Sequence, residues 1–155
     1  MCSSDLRLQL TVRSYGPEIR ERLLSGIKRK AKAAAISANA PEPIVEFSDA
    51  TPATRNDEAL VERVVPVFKR VLGDKNVIPA EPSMGGEDFS EYGLAGVPIF
   101  MFRLGSVNAE RLAEMKKDGK TPPSLHSPFY YPDAKEAITT GVTAMTAALL
   151  DLMAK

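Results

Sequence analysis

The sequence predicts an α/β fold made of two small pieces. Three observations carry the prediction. Residues 6–13, LRLQLTVR, alternate apolar and polar side chains with the period of a half-buried strand. Residues 98–104, PIFMFRL, are a nearly continuous apolar run of strand length, the pattern of a strand covered on both faces. Between and after them lie segments whose apolar residues recur at three- and four-residue spacing, the period of a helix.

Taken in order, the strand at 6–13 is followed by Tyr15, Gly16, Pro17 and Glu18, which open a helix: proline suits the first turn, and an acid there meets the positive end of the helix dipole. Ile19, Leu23, Leu24, Ile27, Ala31 and Ala34 form its apolar stripe, while Lys28, Arg29, Lys30 and Lys32 read as a solvated face rather than a nucleic-acid surface. Pro41 and Pro43 end it, and 44–47 is a short strand. The turn-rich stretch 49–57, DATPATRND, is a connector. Asn56 or Asp57 then caps a helix over 58–72, with Leu60, Val64, Phe68, Val71 and Leu72 on its buried face and Pro66 inside it as an expected kink or break. After a short helix beyond residue 86 and the strand at 98–104 comes a long loop, about 105–130, with one helical turn near 110–116. Loops of that length in compact domains are usually functional or disordered. The last helix starts near Asp133, with Ile138, Val142, Met145, Leu149 and Leu152 on one face as its expected core side.

The 155 residues carry 20 basic and 20 acidic side chains, so no net field favours nucleic acid or an anionic membrane. No apolar run is long enough to span a membrane, and residues 1–20 contain no signal-peptide core. The single cysteine, Cys2, excludes an intrachain disulfide and a cysteine-based metal cluster.

Two stretches carry chemistry. In MGGEDF, 84–89, Gly85 and Gly86 permit a sharp turn and close approach of a ligand to the backbone, and Glu87 and Asp88 stand where a short helix begins. The turn could receive a substrate carboxylate or carbonyl, or be a helix start capped by acids. Its letters resemble the GGDEF loop of diguanylate cyclases, but the acids are in the reverse order and the hairpin strands are absent. In SLHSP, 124–128, stands the only histidine, His126. An imidazole there can be a metal ligand, an acid or base, or a hydrogen-bonded loop residue. No GxSxG elbow accompanies it, which argues against a serine hydrolase.

Four segments, MGGEDFSEYG, GVPIFMFRLGS, KTPPSLHSPFYYPD and AKEAITTGVTAM, together strongly resemble the C-terminal end of the M-twenty family of metallopeptidases, and more narrowly its amidohydrolase branch of hippurate hydrolases and N-acyl-amino-acid deacylases. Upstream, LQLTVRSYGPEIRERLLSGIKRKA is similar to the second half of that family's lid, and VEFSDATPATRND to its return strand and crossing. The resemblance implies a truncated two-domain metallohydrolase: half of a ferredoxin-like lid at 6–50, a crossing linker at 51–56, and the C-terminal part of a zinc-peptidase α/β domain at 57–155. Residues 1–5, MCSSD, match nothing in the pattern and read as a non-native start.

The activity it implies is metal-dependent hydrolysis of the amide bond in N-acyl amino acids or small peptides. Two divalent ions, usually zinc, with manganese, cobalt or nickel as alternatives, would activate a water and polarise the carbonyl. By resemblance His126 is a metal ligand, Gly85, Gly86, Glu87 and Asp88 line the pocket, and Asn56 lies near the substrate carboxylate. The lid implies a homodimer. Family members are more than twice this long, and their other ligands and general-base glutamate lie in a segment this chain lacks. No catalytic residue is therefore assigned within it, and the chain alone is expected to be inactive and to bind zinc weakly, since one histidine does not build a two-metal centre. The competing expectation is a non-catalytic α/β binding or dimerisation module acting through the edge of 6–13.

Overall fold

The computed structural model describes residues 6–48 and 51–154. The expected non-native start at 1–5, with Cys2, lies outside the described residues, as do Asp49 and Ala50 at the head of the expected connector. The described residues form five α-helices and one 310 turn: α1 (Pro17–Ser37), α2 (Glu58–Leu72), the turn at Asp74–Asn76, α3 (Ser90–Leu94), α4 (Ala109–Lys117) and α5 (Ala134–Met153).

The expected α/β fold is overturned. Among the described residues there is no β-strand, hence no ferredoxin-like half-lid at 6–50 and no sheet within 57–155. The physical reason is that alternation marks a face but does not supply a partner. A strand exists only when its N–H and C=O groups pair with a neighbouring strand. Residues 6–13 and 44–47 find no such neighbour, and Leu6 and Ile44 are 84% and 88% exposed.

The chain divides into two units, one of Met1–Arg55 with Pro82–Val97, the other of Asn56–Glu81 with Pro98–Lys155. In the first unit α1 is the main element. Pro17 occupies its first turn and Glu18 its positive end, as the sequence requires, and it ends where Asn39 takes a left-handed φ of 50°. None of its residues is buried. The short α3 follows the glycine turn, and Ser90 at its start is buried.

The second unit holds the core. Asp57 caps α2 by accepting a hydrogen bond from the Leu60 N–H at 2.9 Å. The helix runs from 58 to 72 uninterrupted by Pro66, and stops at Gly73, whose φ of 88° suits glycine. Val64 and Phe68 of α2 pack with Ala144 and Ala148 of α5, and Leu72, Val77, Phe100 and Phe102 close round them. The Phe68 ring lies 4.8 Å from that of Phe102, edge to face, and 5.9 Å from that of Phe100. Phe100 and Phe102 are two residues apart, so the apolar run at 98–104 does turn alternate side chains to one side. It does so without a ladder.

The face of α5 is also corrected. Ile138, Val142, Met145 and Leu149, expected in the core, are more than half exposed. The buried positions are Ala144 and Ala148, because small side chains let two helices approach closely. Arg63 of α2 fastens the pair, with its Nε 2.8 Å from an Asp151 carboxylate oxygen and a second N–H donated to the Asp151 carbonyl.

Candidate functional site

In the first unit, the glycine turn is exposed throughout 85–88. Neither Gly85 nor Gly86 has a positive φ, so no left-handed conformation demands glycine there. A Cβ at Gly86 would stand 3.4 Å from Nη1 of Arg13, an ordinary contact with the end of a flexible side chain, and that nitrogen donates to the Met84 carbonyl at 2.5 Å. What approaches this backbone is thus a guanidinium of the same unit. The Glu87 carboxylate accepts from the Phe89 N–H at 3.2 Å, the Glu87 carbonyl accepts from the Ser90 hydroxyl at 2.9 Å, and the Asp88 carbonyl accepts from the Glu91 N–H at 2.9 Å. These bonds lead into α3, whose N-cap residue is Phe89 and which has no side-chain cap.

In the second unit, His126 is the third residue of the 124–127 turn, the first of two tight turns that share Ser127. The Ser127 N–H donates to the Ser124 carbonyl at 2.9 Å, the Tyr130 N–H to the Ser127 carbonyl at 3.0 Å, and the Phe129 N–H to the Ser127 hydroxyl at 3.2 Å. The backbone of the turn is well satisfied while the imidazole stands exposed. Asn56 has a definite task in the same unit. Its side-chain amide accepts from the Met101 N–H and donates to the Met101 carbonyl, both at 2.8 Å, while the Asp57 N–H donates to the Ile99 carbonyl at 2.8 Å. One side chain and one backbone group thus replace a stretch of neighbouring strand.

The structure puts His126 and Asn56 in one unit and residues 85–88 in the other. Among the described residues, no group of three or more His, Cys, Asp or Glu side chains is placed to hold a metal ion. The donors in this chain, one exposed imidazole without a converging carboxylate pair, do not fit a two-ion centre on their own.

Sequence reasoning missed the most interconnected polar node in the second unit. Asp133 accepts from the Arg111 Nη1 at 2.8 Å and from the Asn108 N–H at 2.6 Å, and its own N–H donates to the Ser106 carbonyl at 2.7 Å. The other Arg111 terminal nitrogen donates to the Tyr131 carbonyl, and the guanidinium lies 5.4 Å from the centre of the Tyr131 ring. The available signal was an aspartate just before a helix, which reads as a cap and conceals the other use.

No solved structure matches the chain. A family model, that of peptidase family M20/M25/M40, matches residues 25–151. That span begins within α1 and ends within α5, taking in the glycine turn, the histidine turn and the Arg111–Asp133 node. The members of this family are peptidases, generally metal-dependent. The match runs through most of both units and all four C-terminal segments that carried the sequence resemblance, and on that ground the chain belongs to the M20/M25/M40 peptidase family.

Proposed function

We propose that this chain serves metal-dependent hydrolysis of the amide bond in N-acyl amino acids or small peptides, with His126 as its contribution to a divalent centre. The observation that supports the reading is the family match over 25–151, which includes the turn carrying the only imidazole of the chain. An exposed histidine on a backbone-satisfied turn is free to ligate. The ion is zinc, with manganese, cobalt or nickel as substitutes, and the other ligands and the general base come from polypeptide outside these 155 residues. Gly85, Gly86, Glu87 and Asp88 line the substrate side.

Zinc calorimetry and hydrolysis of N-acyl amino acids test this together. The 155-residue chain is expected to show no turnover and a single weak zinc event, lost in His126→Ala. Addition of the N-terminal segment of a family member, which carries further ligands, is expected to bring turnover. Two tight zinc sites on the chain alone, or a zinc event indifferent to His126→Ala, would overturn the assignment.

One observation favours a second reading, a non-catalytic dimerisation module. Leu6, Leu8 and Leu10 are all at least two-thirds exposed, and no strand partner covers them. Light scattering discriminates: a stable dimer without zinc, with no turnover after the complementing segment is added, would favour the module.

A further inference from the structure

The excursion from Ser106 to Asp133 carries both α4 and the histidine turn, and its two ends are bonded to each other. Asp133 joins them twice, through its N–H to the Ser106 carbonyl and through its carboxylate to the Asn108 N–H. Arg111, in the first turn of α4, joins the ends a third time through that carboxylate and a fourth time through the Tyr131 carbonyl. The pair is well shielded, with side chains 23% and 14% exposed. Asp133 occupies the N-cap position of α5, yet its carboxylate caps nothing there. A cap aspartate normally accepts from the first helical N–H groups. This one is turned to the loop instead. The Nε of Arg111 is buried with no hydrogen-bond partner, a cost borne so that both terminal nitrogens can fork onto Asp133 and Tyr131.

We infer that Arg111 and Asp133 are positioning residues: together they clamp the 106–133 loop and fix the turn that presents His126. The clamp acts on the turn through a short tether. Tyr131 is held by its carbonyl and by the face of its ring, and Tyr130, its neighbour, closes the histidine turn through the Ser127 carbonyl. Freeing residue 131 frees the last bond of the turn. A lysine in place of Arg111 retains the charge but not the fork, and reaches one of the two acceptors at a time. The inference concerns the order of the loop and stands whether or not His126 holds a metal.

Amide hydrogen exchange and the NMR signals of the His126 ring test it in the whole chain. Arg111→Met is expected to speed exchange at Ser127 and Tyr130 by about tenfold and to narrow the His126 ring signals toward free-histidine line widths as the turn gains motion, while the α2 and α5 amides keep their protection. Asp133→Asn, which retains the shape but weakens the pair, is expected to do the same in part, and Arg111→Lys to recover only a part. Unchanged exchange at Ser127 and Tyr130 in Arg111→Met overturns the clamp. So does a uniform rise that includes α2 and α5, because the pair would then be serving overall stability. Full recovery by Arg111→Lys overturns the role given to the fork. The zinc experiment above is independent: if His126 takes no zinc in the wild-type chain, the hydrolase reading fails and the exchange result still decides the clamp.

Discussion

At the scale of single residues, polar side chains in this chain do the work that strands do elsewhere. Asn56 pairs with both backbone groups of Met101, and each bond is worth about 0.5–1.5 kcal/mol net, less where water competes. Asn56→Ala is therefore expected to cost about 1 kcal/mol in urea unfolding. Asn56→Asp is expected to cost at least as much, because a carboxylate still accepts from the Met101 N–H but faces the Met101 carbonyl with nothing to donate. Were Asn56 reserved for a substrate carboxylate, both variants would unfold like the wild type. Charge is weaker evidence of structure. The Glu42 carboxyl is held below its ordinary 4.5 chiefly by the hydrogen bond from Lys32 and then by its charge, and that same bond raises the Lys32 ammonium above 10.5. The sign follows: the pair helps the fold between those values, losing its effect as pH falls through the lowered Glu42 value or rises through the raised Lys32 value. Both groups are open to solvent, so salt screens them. An NMR titration is expected to show the Glu42 midpoint moving up in Lys32→Met, and also in wild type at 1 M salt, with only a small fall in the melting midpoint.

At the scale of elements, helices were legible and strands were not. The span of α2 could be read from the spacing of Val64 and Phe68, and its cap narrowed to Asn56 or Asp57, of which the structure uses Asp57, because a helix satisfies its own backbone and its signals are local. The runs at 6–13 and 98–104 have strand chemistry, but pairing is a property of two segments, and no partner is read from one. The buried side of α5 was misread for a related reason: hydrophobic size suggested Ile138, Val142 and Met145, whereas close approach to α2 selected Ala144 and Ala148. That contact makes opposite predictions for two neighbouring positions. Ala144 has no exposed surface, so Ala144→Leu overpacks the α2–α5 seam and is expected to cost about 1–3 kcal/mol. Gly141 is in the same helix with an ordinary helical φ, and a Cβ there would meet only the Leu104 Cδ2, at 3.1 Å. Leu104 is 41% exposed and its side chain has room to turn aside. Gly141→Ala is then expected to stabilise by about 0.5 kcal/mol, part of the roughly 1 kcal/mol helix preference of alanine over glycine. Thermal unfolding of both variants checks the pair. A stabilising Ala144→Leu would mean that the seam is looser than its buried alanines imply.

At the scale of the whole molecule, burial is divided unevenly between the two units. The buried apolar residues among those described, Val64, Val67, Phe68, Ile99, Ala144 and Ala148, all belong to the second unit, and in the first unit no residue of α1 is fully buried. This is also why the histidine turn could be picked out from sequence while a complete site could not: a lone imidazole is a local feature, and a metal centre is a convergence of donors. The two units should differ in measurable stability. Most helices in proteins owe their stability to a buried face, and α1 has only a half-buried one, along Leu24, Ile27 and Ala31. Its amides are expected to exchange within about tenfold of the rate of an unfolded chain, while those of α2 and α5 round Phe68 and Ala144 are protected to the limit set by global unfolding. The exposed apolar residues Ile19, Leu23 and Ile36 of α1 and the exposed stripe on α5 should also bind a hydrophobic dye strongly in the same dilute sample. The concentration dependence carries the decision. If α1 gains protection, and dye binding falls, as the chain is concentrated, its apolar stripe is being covered by association. If α1 in a dilute monomer is protected as fully as α5, then the first unit holds a core of its own and the division of stability drawn from these burials is wrong.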